Sequence, residues 1–233
     1  CQSGRSELPA KELNRKVPWV RIPHLPPHLF RNIYIMKFSY DLKNKVILTD
    51  CDGVLVDWTY TFHDWMKRIY DFEPVAEQAY EMDIMYDIPK EIMKEYVIGF
   101  NASAAIAYMT PLNDAVKYVK MLHEDHGFVF HCITSLSLDE SAQKAREYNL
   151  AQLFGPTVFE KVICLDTGAD KNEALEPYRD SGCVWVEDKV ENVDLGVSLG
   201  LNSFLIAHEF NAGYSGEATR VPNWKEIYNT ITG

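Results

Sequence analysis

Asp50 and Asp52 stand one residue apart, just after the apolar run Val46-Ile47-Leu48 and just before Gly53. Carboxylates at this spacing can act as nucleophiles, as proton donors or acceptors, or as oxygen ligands for a hard cation. Two carboxylates so close repel each other, which raises one pKa and lets the pair divide its labour. Gly53 gives the next turn its conformational freedom. Two further apolar runs also end in polar groups: Phe128 to Ile133 in Thr134-Ser135, and Val184-Trp185-Val186 in Glu187-Asp188. Lys171 opens a helical pattern between them. One aspartate at a strand end often only caps the next helix or loop. Three polar strand ends and a lysine at a helix start form a much stronger pattern.

Elements of the right kind exist to bring these residues together. Val46 to Leu48 is a short apolar, β-branched run of the sort a buried parallel strand shows. Residues 114–126 carry Val116, Val119 and Leu122 at helical spacing, and Gly127 closes that helix. A strand over 128–133, a helix over 139–148, a strand over 162–165 and a helix over 171–178 come next. A strand over 184–186, a short helix over 192–199 and a last strand over 203–206 complete the series. Strands separated by helices predict βαβ units, hence an α/β fold with a Rossmann-like parallel sheet. In such a sheet ligands bind beyond the carboxyl ends of the strands, so the polar strand ends should share one crevice. Residues 58–108 break the alternation: Phe62, Trp65, Met66 and Ile69 recur at helical spacings, and turns fall near Pro74 and Pro89. This block reads as an inserted helical cap.

Taken in order, these residues resemble the motifs of the haloacid dehalogenase superfamily. Asp50-Cys51-Asp52-Gly53-Val54-Leu55 is similar to its first motif, Thr134 to the second and Lys171 to the isolated lysine. Glu187-Asp188, trailed by Asn192, Gly196 and Gly200, is similar to the fourth. The resemblance covers roughly residues 45–206. It implies a core domain of residues 36–57 and 111–233, with a cap over 58–110. It also implies a phosphohydrolase in which Asp50 attacks phosphorus and Asp52 serves as general acid, then as general base. Magnesium would be held by the Asp50 and Asp188 side chains and the Asp52 carbonyl, with Glu187 supporting from the second rank. Phosphate would be bound by Thr134, Ser135, Lys171 and the Gly53 amide. A dehalogenase is disfavoured, because that reaction needs no magnesium and leaves Asp52, Glu187 and Asp188 without a reason.

The helical insertion resembles the C1-type cap, and the details resemble the 5′(3′)-deoxyribonucleotidases. The features are Asp57-Trp58 after the first motif, Ser103, Pro111-Leu112, Thr134-Ser135-Leu136 and Val221-Pro222-Asn223-Trp224. Leu136 departs from the proline usual in those enzymes. The expectation is a (deoxy)nucleoside monophosphate substrate with Trp58 against the base, where flat aromatic rings suit amphipathic ones. Phosphatases of small metabolites, such as sugar phosphates or phosphoglycolate, are the alternative. A non-catalytic binding protein on the same scaffold is the alternative of another class.

Composition is compatible with this reading. Apolar residues at 47% are enough for a sizeable core, and 24% charged is ordinary for a soluble globular chain. A net charge of −11 argues against gripping a nucleic acid polymer. It leaves room for a phosphorylated small substrate, since a cation and one lysine invert the potential locally. Residues 1–35 carry +4, leaving −15 for the rest, and they are rich in proline. They are expected to form a poorly ordered basic tail, or an arm for something anionic. Five cysteines without a CxxC pair point to reduced thiols and a cytoplasmic protein. No apolar run is long enough for a membrane span, and a homodimer stays open. Cys51 reads as a spacer, because a nucleophilic cysteine wants a basic partner. His63, His123, His126 and His131 lack metal-ligand spacing and read as core or surface residues.

Overall fold

A computed structural model describes residues 45–76 and 81–233. The expected tail over residues 1–35 and the first residues of the expected core, up to 44, lie outside them. Among the described residues six strands form one sheet: β1 (Val46–Thr49), β2 (Val129–Ser135), β3 (Phe159–Leu165), β4 (Val184–Glu187), β5 (Asn202–Ile206) and β6 (Thr219–Val221). Their order is β3-β2-β1-β4-β5-β6, and every pairing is parallel. The helices are α1 (Trp58–Tyr70), α2 (Met82–Tyr86), α3 (Lys90–Asn101), α4 (Ala115–Glu124), α5 (Glu140–Phe154), α6 (Asn172–Leu175), α7 (Val190–Ser198) and α8 (Trp224–Thr232). Short 3₁₀ turns occupy Ala104–Tyr108, Glu176–Tyr178 and Glu209–Asn211.

The predicted α/β fold is therefore the one found. Successive strand residues face opposite sides of the sheet, and both sides of the centre are covered. Ile47 packs into one cluster with Phe130, Val186 and Trp224, while Leu48 packs into another with Ile133, Leu175 and Trp185. This two-sided burial is why β1 and β4 read as unbroken apolar runs.

Elements at the sheet margins differ from the sequence reading. Strand β3 begins at Phe159, ahead of the expected 162, because Glu160 and Lys161 are exposed on an edge strand and hide the apolar pattern. Helix α5 runs to Phe154, where Gly155 adopts φ +111° and its N–H returns to Ala151 O. Strand β6, at the other edge, has two exposed residues out of three and no readable signature. Helix α8 was legible but not anticipated: Trp224, Ile227 and Ile231 recur on its buried face, and Asn223 caps it through Glu226 N.

Residues 58–108 form a helical insertion between β1 and α4. The chain leaves and re-enters the core along paired segments: Asp57 N–H donates to Thr110 O and Leu112 N–H to Leu55 O, both at 2.9 Å. Asp57 also caps α1 by accepting from Tyr60 N–H at 3.0 Å. Inside the insertion Phe62 is fully buried among the rings of Trp58, Trp65, Tyr86 and Phe100.

One glycine is required by close approach. A Cβ on Gly196 of α7 would stand 2.6 Å from Ser203 Oγ and 3.2 Å from Trp185 Cγ, with no flexible tip to yield. Gly196→Ala should therefore cost about 1–3 kcal/mol through overpacking. Thermal denaturation would register this as a drop of several degrees in Tm, and an unchanged Tm would contradict the packing described.

Candidate active site

The chain passes from β1 to β2 on one side, then returns across β1 to β4 on the other. Such a reversal leaves a crevice at the carboxyl ends of the strands. Asp50 stands just past β1, and its N–H still donates to Val186 O at 2.9 Å. Thr134 is the last residue but one of β2, Glu187 ends β4, and Asp188 and Lys171 come from the adjoining loops.

The charged groups meet in a buried cluster. Lys171 is only 2% exposed. Its Nζ lies 2.7 Å from Asp50 Oδ1 and donates to Glu187 Oε2 at 2.8 Å. The contact with Asp50 is held by charge, without the alignment of a good hydrogen bond. Burial works against the ammonium charge, but Asp50 and Glu187 outweigh it and hold the Lys171 pKa well above its ordinary value. Burial pushes the Asp50 carboxyl up to about 7; Lys171 opposes the rise, while Glu187 and Asp52 add to it. Asp188 is raised too, by burial first and then by Glu187 and Asp50.

Carboxylate oxygens of Asp50, Glu187 and Asp188 all lie within 4.8 Å of one another. This all-oxygen donor set suits a hard divalent cation. Glu187 is the most committed of the three. Its Oε2 takes Lys171, and its Oε1 accepts from the N–H of Asp188 at 3.2 Å and of Lys189 at 3.1 Å. Asp50 and Asp188 are freer to serve as ligands. Among the described residues, the buried Thr134 Oγ1 has no hydrogen-bond partner. An unsatisfied buried hydroxyl costs about 1–3 kcal/mol, so an acceptor brought to this crevice would find a donor waiting.

The loop after β1 depends on Gly53. It adopts φ +73°, and a Cβ there would fall inside the Asp188 carboxylate. The Gly53 N–H, expected as a phosphate donor, instead donates to Val56 O at 2.9 Å within the turn. Ser135 was also expected to bind phosphate, but its hydroxyl donates to Ala169 O at 2.7 Å. A turn this tight and a loop packed this closely use their donors internally. Trp58 sits at the start of α1, with one face stacked on Phe62 at 4.7 Å and its Nε1–H donating to Asn101 Oδ1 at 3.0 Å.

Several residues at the site escaped the sequence reading. Arg146 of α5 is fully buried, with Nη2 2.7 Å from Asp52 Oδ1 and Nη1 2.8 Å from Cys51 Sγ. Its signal was an arginine on the inward stripe of Ala142, Leu150 and Phe154. Cys51, read as a spacer, is fully buried against this basic group. Asn211 donates to Asp188 O and Ile206 O, both at 2.8 Å. His208 Nε2 lies 2.7 Å from Gly53 O. Locally the two only cap the turn at 209–211; their contacts with Asp188 and Gly53 come from distant segments. His131, placed among core or surface residues, is buried beside the Tyr178 hydroxyl at 2.8 Å.

The architecture is that of the haloacid dehalogenase fold. A haloacid dehalogenase-like hydrolase from Streptococcus pneumoniae superposes with a TM-score of 0.57 at 12% identity, over 81% of this chain and 98% of that one. A predicted phosphatase from Clostridium acetobutylicum gives 0.56 at 15% identity, over 81% and 98%. CbbY from Rhodobacter sphaeroides, solved in complex with phosphate, gives 0.52 at 15% identity, over 79% and 96%. In sequence, the chain is 24% identical over 199 residues to the uncharacterized 32.4 kDa protein of the Gp30–rIII intergenic region of enterobacteria phage T4, covering 79% of this chain and 69% of that protein. No family model matches. Among the described residues no helix is long and apolar enough to cross a membrane.

Asp50 gives the fold a pH dependence. Its carboxyl titrates near 7 in the folded chain and near 3.8 when unfolded, so between those values the folded form binds more protons. Its contribution to stability is full below about 4 and is lost as pH rises through about 7. In chelator, wild-type Tm should fall from pH 5.5 to pH 8, and Asp50→Asn should flatten that slope. Parallel slopes for the two proteins in differential scanning fluorimetry would sink the assignment.

Proposed function

We propose that this chain is a magnesium-dependent phosphomonoester hydrolase that works through an aspartyl-phosphate on Asp50. The observation that carries the reading is the meeting of three carboxylates and a buried lysine at the sheet's switch point, on the edge where the neighbouring strand β2 ends with the unpartnered Thr134 hydroxyl. A phosphoryl group would match this inventory: the Thr134 hydroxyl donates to one oxygen, and Lys171 offsets the charge of the approaching anion. The Asp50 carboxylate attacks phosphorus, the P–O bond to the leaving alcohol breaks, and Asp52 gives that alcohol its proton. Water then attacks phosphorus, Asp52 takes the proton, and Asp50 is released with inorganic phosphate. Asp50, Asp188 and the Asp52 carbonyl would hold magnesium, and Glu187 supports them by fixing Lys171 and the Asp188 amide. The cation, when bound, neutralises phosphate charge beside the nucleophile.

For the substrate class we favour (deoxy)nucleoside monophosphates, on the resemblance around Asp57-Trp58 and the aromatic interior of the insertion. Small phosphorylated metabolites are the second reading. The packing of Trp58 on Phe62 and Asn101 favours it, because a stacked base would have to use the opposite face of the indole.

Turnover of p-nitrophenyl phosphate should require magnesium and vanish in Asp50→Asn, while Asp52→Asn should lose roughly 10²–10⁴-fold. Activity independent of magnesium or of Asp50 would overturn the mechanism, and an inert wild type would favour a binding protein. Ranking deoxynucleoside monophosphates against sugar phosphates by kcat/KM decides the substrate class. A wide margin for the sugars would reject the nucleotidase reading.

A further inference from the structure

We infer that Arg146 is the positioning residue for Asp52, holding its carboxylate in place for both proton transfers; the inference rests on the phosphatase reading of the site. The guanidinium is fully buried, and it spans the loop after β1 by two neighbouring contacts. Nη2 takes Asp52 Oδ1 at 2.7 Å, and Nη1 takes Cys51 Sγ at 2.8 Å. A planar fork anchored at two points fixes direction as well as distance, which a single ammonium does not. The Asp52 side chain keeps 22% of its surface exposed. One carboxylate oxygen is thus tied to Arg146 on the protein side while part of the group stays accessible.

Stability alone does not account for an arginine here. Burying a guanidinium carries a desolvation cost that one ion pair does not reliably repay, and an apolar side chain of similar volume is often as stable or more so. Nε of Arg146 is buried with no hydrogen-bond partner among the described residues, so the site is not optimised for the cation. What the arrangement provides is rigidity. Helix α5 is itself tied down three residues later, where Asn149 donates to Met109 O at 3.0 Å at the end of the helical insertion. Asp52 is therefore positioned from a helix fastened to both core and insertion. Proton transfer is sensitive to such placement, since a displacement of about 1 Å can cost about 10²-fold.

The two chemical steps depend differently on Asp52, and this separates positioning from general structural support. p-Nitrophenolate leaves without needing a proton, so phosphorylation of Asp50 should survive a misplaced Asp52. Hydrolysis of the aspartyl-phosphate still needs a base, so that step should slow. With p-nitrophenyl phosphate and magnesium, Arg146→Met should lower kcat roughly 10–100-fold. Acid-quenched protein, read by intact-mass spectrometry, should then show phosphorylation approaching one per chain. Arg146→Lys should recover part of the rate, and Cys51→Ala, which removes one anchor, should show a smaller effect of the same kind. Asp52→Asn should accumulate phosphoenzyme in the same way, and the double variant should lose little more than Asp52→Asn alone.

The inference fails if Asp52→Asn accumulates phosphoenzyme while Arg146→Met, Arg146→Lys and Cys51→Ala do not. It also fails if the Arg146 and Asp52 effects multiply independently. Should Arg146→Met not fold, as judged by circular dichroism and Tm, Arg146→Lys and Cys51→Ala carry the same comparison. A wild type without turnover or phosphoenzyme would instead reject the phosphatase reading itself.

Discussion

A lysine sealed from solvent holds this site together. Three carboxylates cannot be crowded at the edge of a buried sheet without a countercharge, because their repulsion adds to the cost of removing each from water. Lys171 meets that need by bridging Asp50 and Glu187 at 2.7 and 2.8 Å. It comes after β3, which is separated from β1 by the whole width of β2. The loop that carries it must therefore cross the end of β2. Two contacts keep it there: Ser135 Oγ–H donates to Ala169 O at 2.7 Å, and Thr167 Oγ1–H donates to Leu136 O at 2.5 Å. Ser135 thus serves the site by placing the lysine.

The same economy of contacts governs the helical insertion. Asn101, buried at the end of α3, accepts from Trp58 Nε1 and donates to Leu136 O at 3.2 Å. One amide side chain thereby ties both ends of the insertion's main helices to the loop beyond β2. Together with the paired segments at residues 55–57 and 110–112, this fastens the insertion to the core.

Acidic groups that are costly to bury are each pinned from a different direction. Asp50 is met by Lys171, Asp52 by Arg146, and the backbone of Asp188 by Asn211. Gly53 is what lets the first and fourth strand ends come so close, since any side chain there would occupy the Asp188 carboxylate. Burial first, and then the repulsion of neighbouring carboxylates, holds Asp50 and Asp188 above their ordinary titration ranges.

By itself the sequence determined the parallel α/β sheet, the helical insertion and the chemical identities at the strand ends. Periodicity is a local property, and Val46 to Leu48 or Val184 to Val186 carry it within a few residues. It also grouped Asp50, Asp52, Thr134, Glu187 and Asp188, because strand ends of one parallel sheet must share an edge, while Lys171 joined them as a lysine at a helix start and through the motif resemblance. Only the tertiary structure decided which donors remain free. Ser135 and Gly53 turn out to be used within the protein, while Thr134 is left unpaired. It alone brought Arg146, Asn211 and His208 to the site, since each acts on a residue more than 20 positions away in the chain. Hydrogen-bond partners across such separations are set by packing, and no local pattern encodes them.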